Sequence, residues 1–321
     1  MTKGFWLKIL IVIITVLLPL ILNGYQLQVM VMVGIFSILT LSLNVISGYG
    51  GMISLGHAGF FLVGAYTSAI LTVDAGVNPW LALIAAILVT ALFGLLLSFP
   101  ALKLSGHFLA VITIAFGLIM QILAINMEWL TGGIEGVSQI PRPSIFGYDL
   151  KGDNAFYYLV AVVLIATFWL LKQILHSDFG RSLRAVRDDE VAASCMGIDI
   201  RATKIIAFVL SAGVAGLAGA LYAHFVRYLN PDSFTLEISI RVFLMVIIGG
   251  IGSLGGSILG AATVYLLPEF LRFLDNYYYL AFGLAVVLVM RFLPGGLISL
   301  GPILERGISR GSTSKRRRKD A

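Results

Sequence analysis

The chain has 321 residues, of which 59% are hydrophobic and only 12% charged, with a mean hydropathy of +0.98. Soluble domains carry about 25% charged residues, so a soluble enzyme or a separate soluble domain is excluded, and 1–321 reads as one membrane-embedded, all-α unit. The net charge of +6 comes largely from the run Lys315–Lys319, which reads as an anchor at an anionic leaflet rather than a nucleic-acid site.

A hydrocarbon core takes about 20 apolar residues per helix. Such runs fall at roughly 5–22, 27–46, 53–73, 80–100, 106–126, 155–175, 205–226, 239–251, 256–273 and 277–293. The first follows Lys3 and Lys8, as a signal peptide would, but no small-x-small cleavage site follows Leu22, so it reads as a retained helix. The run 239–251 covers only about 20 Å, the length of a half-helix. Ten crossings put both termini on one side. With the termini in the cytoplasm, only Arg142, Lys151, Arg227, Arg241 and Arg272 among the basic residues fall outside. The positive-inside rule therefore assigns both termini, the polar insert 176–204 and the basic tail 303–321 to the cytoplasm.

The longest external loop, 127–154, carries Thr131-Gly132-Gly133 and Pro141-Arg142-Pro143, which are turn and extended signals. It is on the side where an extracytoplasmic partner would dock. A structural lid explains it equally well.

Two glycine-rich segments interrupt apolar runs, Gly48–Gly59 and Gly249–Gly256, and each holds a Ser-Leu-Gly, at Ser54–Gly56 and Ser253–Gly255. Irregular backbone at membrane depth persists only where protein or a water-filled cavity satisfies it. Paired breaks in the two halves of a transporter point to its pathway; close helix packing with a turn is the other reading. Asn44, Ser54, His57, Gln121, Asn126, Gly250, Gly252 and Ser253 are the candidate path residues, although single polar groups such as these, Thr113, Ser211 or His224 often only bond across helices. Ala212, Gly216 and Ala220 are spaced i, i+4, i+8 and form a helix-packing face.

Several absences narrow the function. No Asp, Glu, Lys or Arg sits in the middle of an expected span, which disfavours ion coupling. The dipeptide Gly-Lys never occurs, so the chain has no phosphate-binding loop for ATP of that type. There is no H-E-x-x-H, and the single cysteine, Cys195, excludes a C-x-x-C and an intramolecular disulfide. The lone G-x-S-x-G, Gly307–Gly311, lies in the polar tail without the strand and helix a nucleophile elbow needs. No catalytic residue, metal site or cofactor is expected.

The insert 176–204 is charge-dense between two spans, and its punctuation predicts two short helices. Ser177 or Asp178 can cap the first, Asp188 or Asp189 the second; Gly197 can end the second and Asp199 can cap the membrane helix that follows. A loop that merely joins two spans is the plain reading. If the chain is a pump, however, its energy must come from another chain, and this insert is the best contact. Leu183, Val186, Val191 and Met196 would be the apolar anchors in the partner, with Arg184 and Arg187 orienting them.

Four stretches carry a family resemblance: Leu43–Ala58, Thr131–Gly133 with Ile140–Pro143, Gly180–Ala193 through Gly197, and Gly249–Gly256. Together they resemble the permease subunits of branched-chain amino-acid ABC importers, of the LivM type. Glu190, Ala192, Ala193 and Gly197 are similar to the E-A-A…G coupling loop of importer permeases, with Val191 interrupting the E-A-A order. The resemblance implies a single permease domain of about ten helices in a vitamin-B12-importer-like architecture. It also implies a second homologous permease subunit, two cytoplasmic ABC ATPases, an extracytoplasmic substrate-binding protein and an inner-membrane location. The ATPase-coupling residues would be Arg181, Leu183, Arg184, Val186, Arg187, Glu190, Ala192, Ala193, Met196 and Gly197. A urea or short-amide importer fits the same resemblance. A stand-alone channel or secondary carrier is the alternative of another class, and a membrane enzyme using an isolated histidine or Ser309 a third.

Overall fold

The computed structural model describes residues 18–19, 22–104, 106–145, 148–149 and 152–270, with positions 283, 287, 291 and 295–299. The expected spans 5–22 and 277–293 lie almost wholly outside these residues, and the tail 303–321 entirely so. Helix α1 runs over Gly24–Asn44 and passes into a π-helical turn at Val45–Tyr49. Helix α2 covers His57–Val73, α3 Pro79–Ala101, α4 His107–Asn126 and the short α5 Glu128–Thr131. Then come α6 (Asp153–His176), α7 (Asp178–Asp188), α8 (Glu190–Cys195), α9 (Ile200–Val226), α10 (Leu236–Gly249) and α11 (Leu254–Phe270). Among the described residues 5 helices are long and apolar enough to cross a membrane: Gly24–Tyr49, Pro79–Ala101, His107–Asn126, Asp153–His176 and Ile200–Val226. His57–Val73 and Leu254–Phe270 are apolar but shorter.

Helices α1 and α9 form the centre. The most apolar window of α1 is 83% buried, against 22% for α4 and for α6. The outer helices present Leu118, Ile122, Val162 and Trp169 outward, which suits lipid tails or another apolar surface. Close approach at the centre comes from small residues. Ala212 and Ala220 are fully buried, and a Cβ on Gly216 would stand 2.6 Å from the Cβ of Thr90 on α3.

The connecting segments gather at two ends. At one, the Gln28 amide donates to Asp153, Arg142 pairs with the same carboxylate at 2.8 Å, and the Trp80 indole donates to the Ser144 carbonyl. The segment 127–154 belongs to this end and is tied down rather than free. Val137 and Leu229 exchange backbone hydrogen bonds, and His224 donates to the Pro141 carbonyl. The half-buried Arg142 guanidinium lies over the rings of Phe156 and Phe225, a contact worth about 0.5–2 kcal/mol. A two-residue ladder, Ser144–Ile145 with Tyr148–Asp149, is the strand pairing in this segment. At the other end lie the 176–199 insert, the turn after α1 and the α10–α11 turn.

Two helices start part-way through the bundle. The run 53–73, expected as one span, is irregular up to Gly56 and helical only from His57. His57 bonds Ser211, which lies about 16 Å along α9 from Ile200 at the helical rise. Ala58 N–H donates to Ser239 Oγ at 2.9 Å, so α10 begins at a similar depth. With 14 residues, α10 is about 21 Å long.

Candidate functional site

The polar insert folds as a helical hairpin. Ser177 occupies the N-cap position of α7, yet its hydroxyl donates back to the Ile174 carbonyl and caps nothing. Asp189 caps α8: its Oδ1 accepts from Val191 N–H at 2.8 Å and Ala192 N–H at 3.0 Å. Gly197, at φ +82°, follows the end of α8 in the left-handed region that favours glycine. Ile198 N–H then bonds back to the Ala193 carbonyl. Asp199 accepts from Ala202 N–H at 3.0 Å and starts α9.

The apolar anchors divide, which corrects the sequence reading. Leu183 and Val186 are buried within this chain, at 0% and 2% exposure, and are not available to a partner. Leu183 packs toward Gly50 in the turn after α1. Val191 and Met196 are 74% and 82% exposed. Ala193 is buried and Ala192 exposed. Glu190 reaches back to Lys204 at 2.6 Å, and the Lys204 side chain is only 8% exposed; this pair holds α8 against α9. Arg181 pairs with Asp178 on the open surface, where such pairs contribute ~0–1 kcal/mol. Arg184 is half-buried on α7. Arg187 is exposed, yet its Nη1 reaches the Gly48 carbonyl and donates to it at 3.0 Å, while Nε and Nη2 hold Asp188.

The two glycine-rich segments meet. Asn44 Oδ1 accepts from Gly252 N–H at 2.9 Å, and Nδ2 donates to the Ser253 carbonyl at 2.9 Å and the Ser257 hydroxyl at 2.7 Å. Gly48 must lack a side chain, because a Cβ there would lie 2.5 Å from Gly252 N and collide with Asn44 Oδ1. Ser253 Oγ accepts from Gly256 N–H and caps α11, and Gly250 continues the turn after α10.

His57 sits in a second buried network. Ser211 Oγ donates to the Ser42 carbonyl at 2.6 Å, so it accepts from His57 Nε2–H at 3.0 Å. His57 Nδ1 is then bare and accepts from Ser54 Oγ at 3.3 Å. At the opposite end the pattern inverts. His224 Nδ1–H donates to the Pro141 carbonyl at 2.6 Å, and its Nε2 accepts from Ser68 at 2.8 Å. Both histidines are neutral fasteners between α2 and α9 in this arrangement.

Of the candidate path residues, Asn44, Gly252 and Ser253 converge, with Gly250 in the same turn, and Ser54 and His57 form their own cluster. Gln121 and Asn126 stand apart on α4, where Asn126 Nδ2 bonds the Ile122 carbonyl. A small cleft of about 10 Å³, room for roughly one water, opens where α2 and α10 begin, lined by Leu55, Ala58, Gly117, Phe234, Leu236 and Ser239 among others. None of the named path candidates lines it. Ser239, Ser257 and Lys204 carry key bonds that the sequence reading did not assign; a lone serine in an apolar run has no periodic signal to distinguish it.

Residues 25–291 match the protein family described as the branched-chain amino acid transport system / permease component. The chain belongs to this permease family. It is 36% identical over 313 residues to the high-affinity branched-chain amino acid transport system permease protein LivM of Salmonella typhimurium, covering 90% of this chain and 74% of that protein. LivM of Escherichia coli K12 is 35% identical with the same coverage. The LivH permease protein of the same E. coli strain is 26% identical, covering 82% of this chain and 91% of LivH. No solved structure matches the chain. Membership of the permease family and the apolar helices together make this a multi-pass membrane protein.

Proposed function

We propose that this chain is the membrane-spanning subunit of an ATP-driven importer for branched-chain amino acids. It pairs with a second, homologous permease subunit, receives substrate from an extracytoplasmic binding protein and is driven by two cytoplasmic ATPases. It binds no nucleotide and no nucleic acid. Its partners in the plasma membrane are lipid and the other subunits, with both termini cytoplasmic and about ten helices in a vitamin-B12-importer-like arrangement. The names of the relatives support the pairing: LivM and LivH of the same E. coli strain are each named as a high-affinity branched-chain amino acid transport system permease protein.

One observation carries the reading. The hairpin α7–α8 is fixed to the body by Leu183, Val186 and the Glu190–Lys204 pair, and its far helix leaves Val191, Ala192 and Met196 exposed. A rigidly held helix with an exposed apolar tip is what an ATPase groove needs if it is to move the permease. In this reading residues 181–197 are the coupling segment, with Val191 and Met196 entering the partner and Leu183 and Val186 seating the hairpin on the permease.

Copurification in mild detergent tests this. A Walker-motif ATPase should accompany the chain and be lost from Val191→Asp/Met196→Asp while the chain still inserts. Purification alone from cells containing all candidate partners, with ion-driven flux in liposomes, would replace the importer by a carrier.

A further inference from the structure

We propose that Arg187 is a transmission residue that ties the coupling hairpin to both glycine-rich junctions at once, so that a push on α7–α8 moves the cytoplasmic ends of α1, α10 and α11 together. This rests on the importer reading above and adds the route inside the permease.

The geometry starts from a broken helix. In a continuous α-helix the carbonyl of Gly48 would accept from Met52 N–H. Here Met52 N–H bonds back to Ile46, and Arg187 Nη1 supplies the donor to Gly48 instead. A side chain on the neighbouring hairpin thus satisfies the end of α1. The arginine makes further contacts along its length. Its Nε and Nη2 are engaged by Asp188 at 3.0 and 2.9 Å, and its stem lies on Gly51, where a Cβ would stand 2.5 Å from Arg187 Cγ.

The second junction is directly behind. A Cβ on Gly252 would be 3.5 Å from the Gly48 carbonyl oxygen and 3.6 Å from Arg187 Nη1. Asn44, one helical turn before Gly48, clamps Gly252, Ser253 and Ser257. The chain of contacts is therefore α7, Arg187, Gly48, Asn44 and the α10–α11 turn. Each link is a hydrogen bond or a close packing contact that needs glycine or a bond-forming side chain. Hydrogen bonds linked in a chain polarise one another, so these contacts are energetically coupled.

The test uses the complete transporter, reconstituted with its partners. ATP hydrolysis and leucine uptake are measured on wild type, Arg187→Gln, Arg187→Lys and Asn44→Ala. Uptake is expected to fall at least tenfold in Arg187→Gln while hydrolysis by the assembled complex stays within twofold. Lysine keeps one donor for the carbonyl but not the clamp by Asp188, and should give intermediate uptake. Combining Arg187→Gln with Asn44→Ala should cost no more than the worse single change, because both cut one route. Uptake within twofold of wild type in Arg187→Gln overturns the proposal, as does a parallel fall of uptake and hydrolysis. Where Arg187→Gln does not assemble, Arg187→Lys decides: intermediate uptake with intact hydrolysis supports the route, and wild-type uptake or joint loss overturns it. A wild-type complex that shows no ATP-driven leucine uptake contradicts the importer reading itself, which is a separate outcome.

Discussion

Asn44 and Gly252 are 208 positions apart in sequence, yet Asn44 Oδ1 accepts from Gly252 N–H at 2.9 Å. That bond fastens the end of α1 to the turn between α10 and α11. Replacing Asn44 with the similarly sized Leu removes this acceptor and the donors to Ser253 and Ser257, in a site where Asn44 and Ser257 are fully buried. The Ser257 hydroxyl and the Ser253 carbonyl keep their bond to each other, but Gly252 N–H loses its acceptor, which costs about 1–3 kcal/mol. Asn44→Leu should therefore lower the thermal midpoint in detergent well below that of wild type. An unchanged midpoint would show that the clamp is dispensable for stability.

The packing of α2 on α9 should tolerate no added methyl at Gly64. A Cβ there would stand 2.7 Å from the Gly216 carbonyl carbon and collide with its oxygen. Gly64→Ala should cost about 1–3 kcal/mol through forced separation of the helices. Gly24→Ala, at the start of α1 with nothing within 4 Å of the new Cβ, should be neutral or stabilising by up to ~1 kcal/mol. Midpoints of the two variants, measured side by side, check the contrast.

His57 and His224 should carry opposite tautomers. The serine and carbonyl partners require Nε2–H on His57 and Nδ1–H on His224. Nitrogen-15 NMR of the labelled histidines distinguishes a bare ring nitrogen from a protonated one. The same tautomer on both would contradict the assigned networks.

Much of this arrangement was legible in residue type. Apolar run length located the long helices, and Asp189, Gly197 and Asp199 marked caps and a stop because carboxylates and glycine do specific jobs there. Other features were not. The apolar face of α7 announced that Leu183 and Val186 would be covered, but a period of 3.6 is the same for a partner's groove and for the chain's own core. The run 53–73 is apolar throughout, so hydropathy did not show that helix begins only at His57. The Arg187–Gly48 bond joins a side chain to a main-chain carbonyl far away in sequence, a contact with no local pattern.

Gly197 should be sensitive in a graded way. At φ +82° an alanine costs about 1–2 kcal/mol, and proline, fixed near φ −65°, cannot adopt the turn at all. Gly197→Ala should keep the α8–α9 connection, and Gly197→Pro should disrupt it locally without dismantling the bundle. Cys195 reports on this directly, being an exposed single thiol at the end of α8. Its maleimide labelling rate should be close to wild type in Gly197→Ala and altered in Gly197→Pro, with both variants retaining wild-type helicity.

The same thiol gives the most direct test of the central claim, that α8 is the surface an ATPase grips. Maleimide labelling of Cys195 would be compared in the purified chain alone and in the complex with its copurified ATPase. The coupling account predicts rapid labelling of the isolated chain and at least tenfold protection in the complex, released in the Val191→Asp/Met196→Asp variant. Equal labelling in the free chain and in an intact, ATP-hydrolysing complex would contradict it and move the energy-coupling contact elsewhere on the permease.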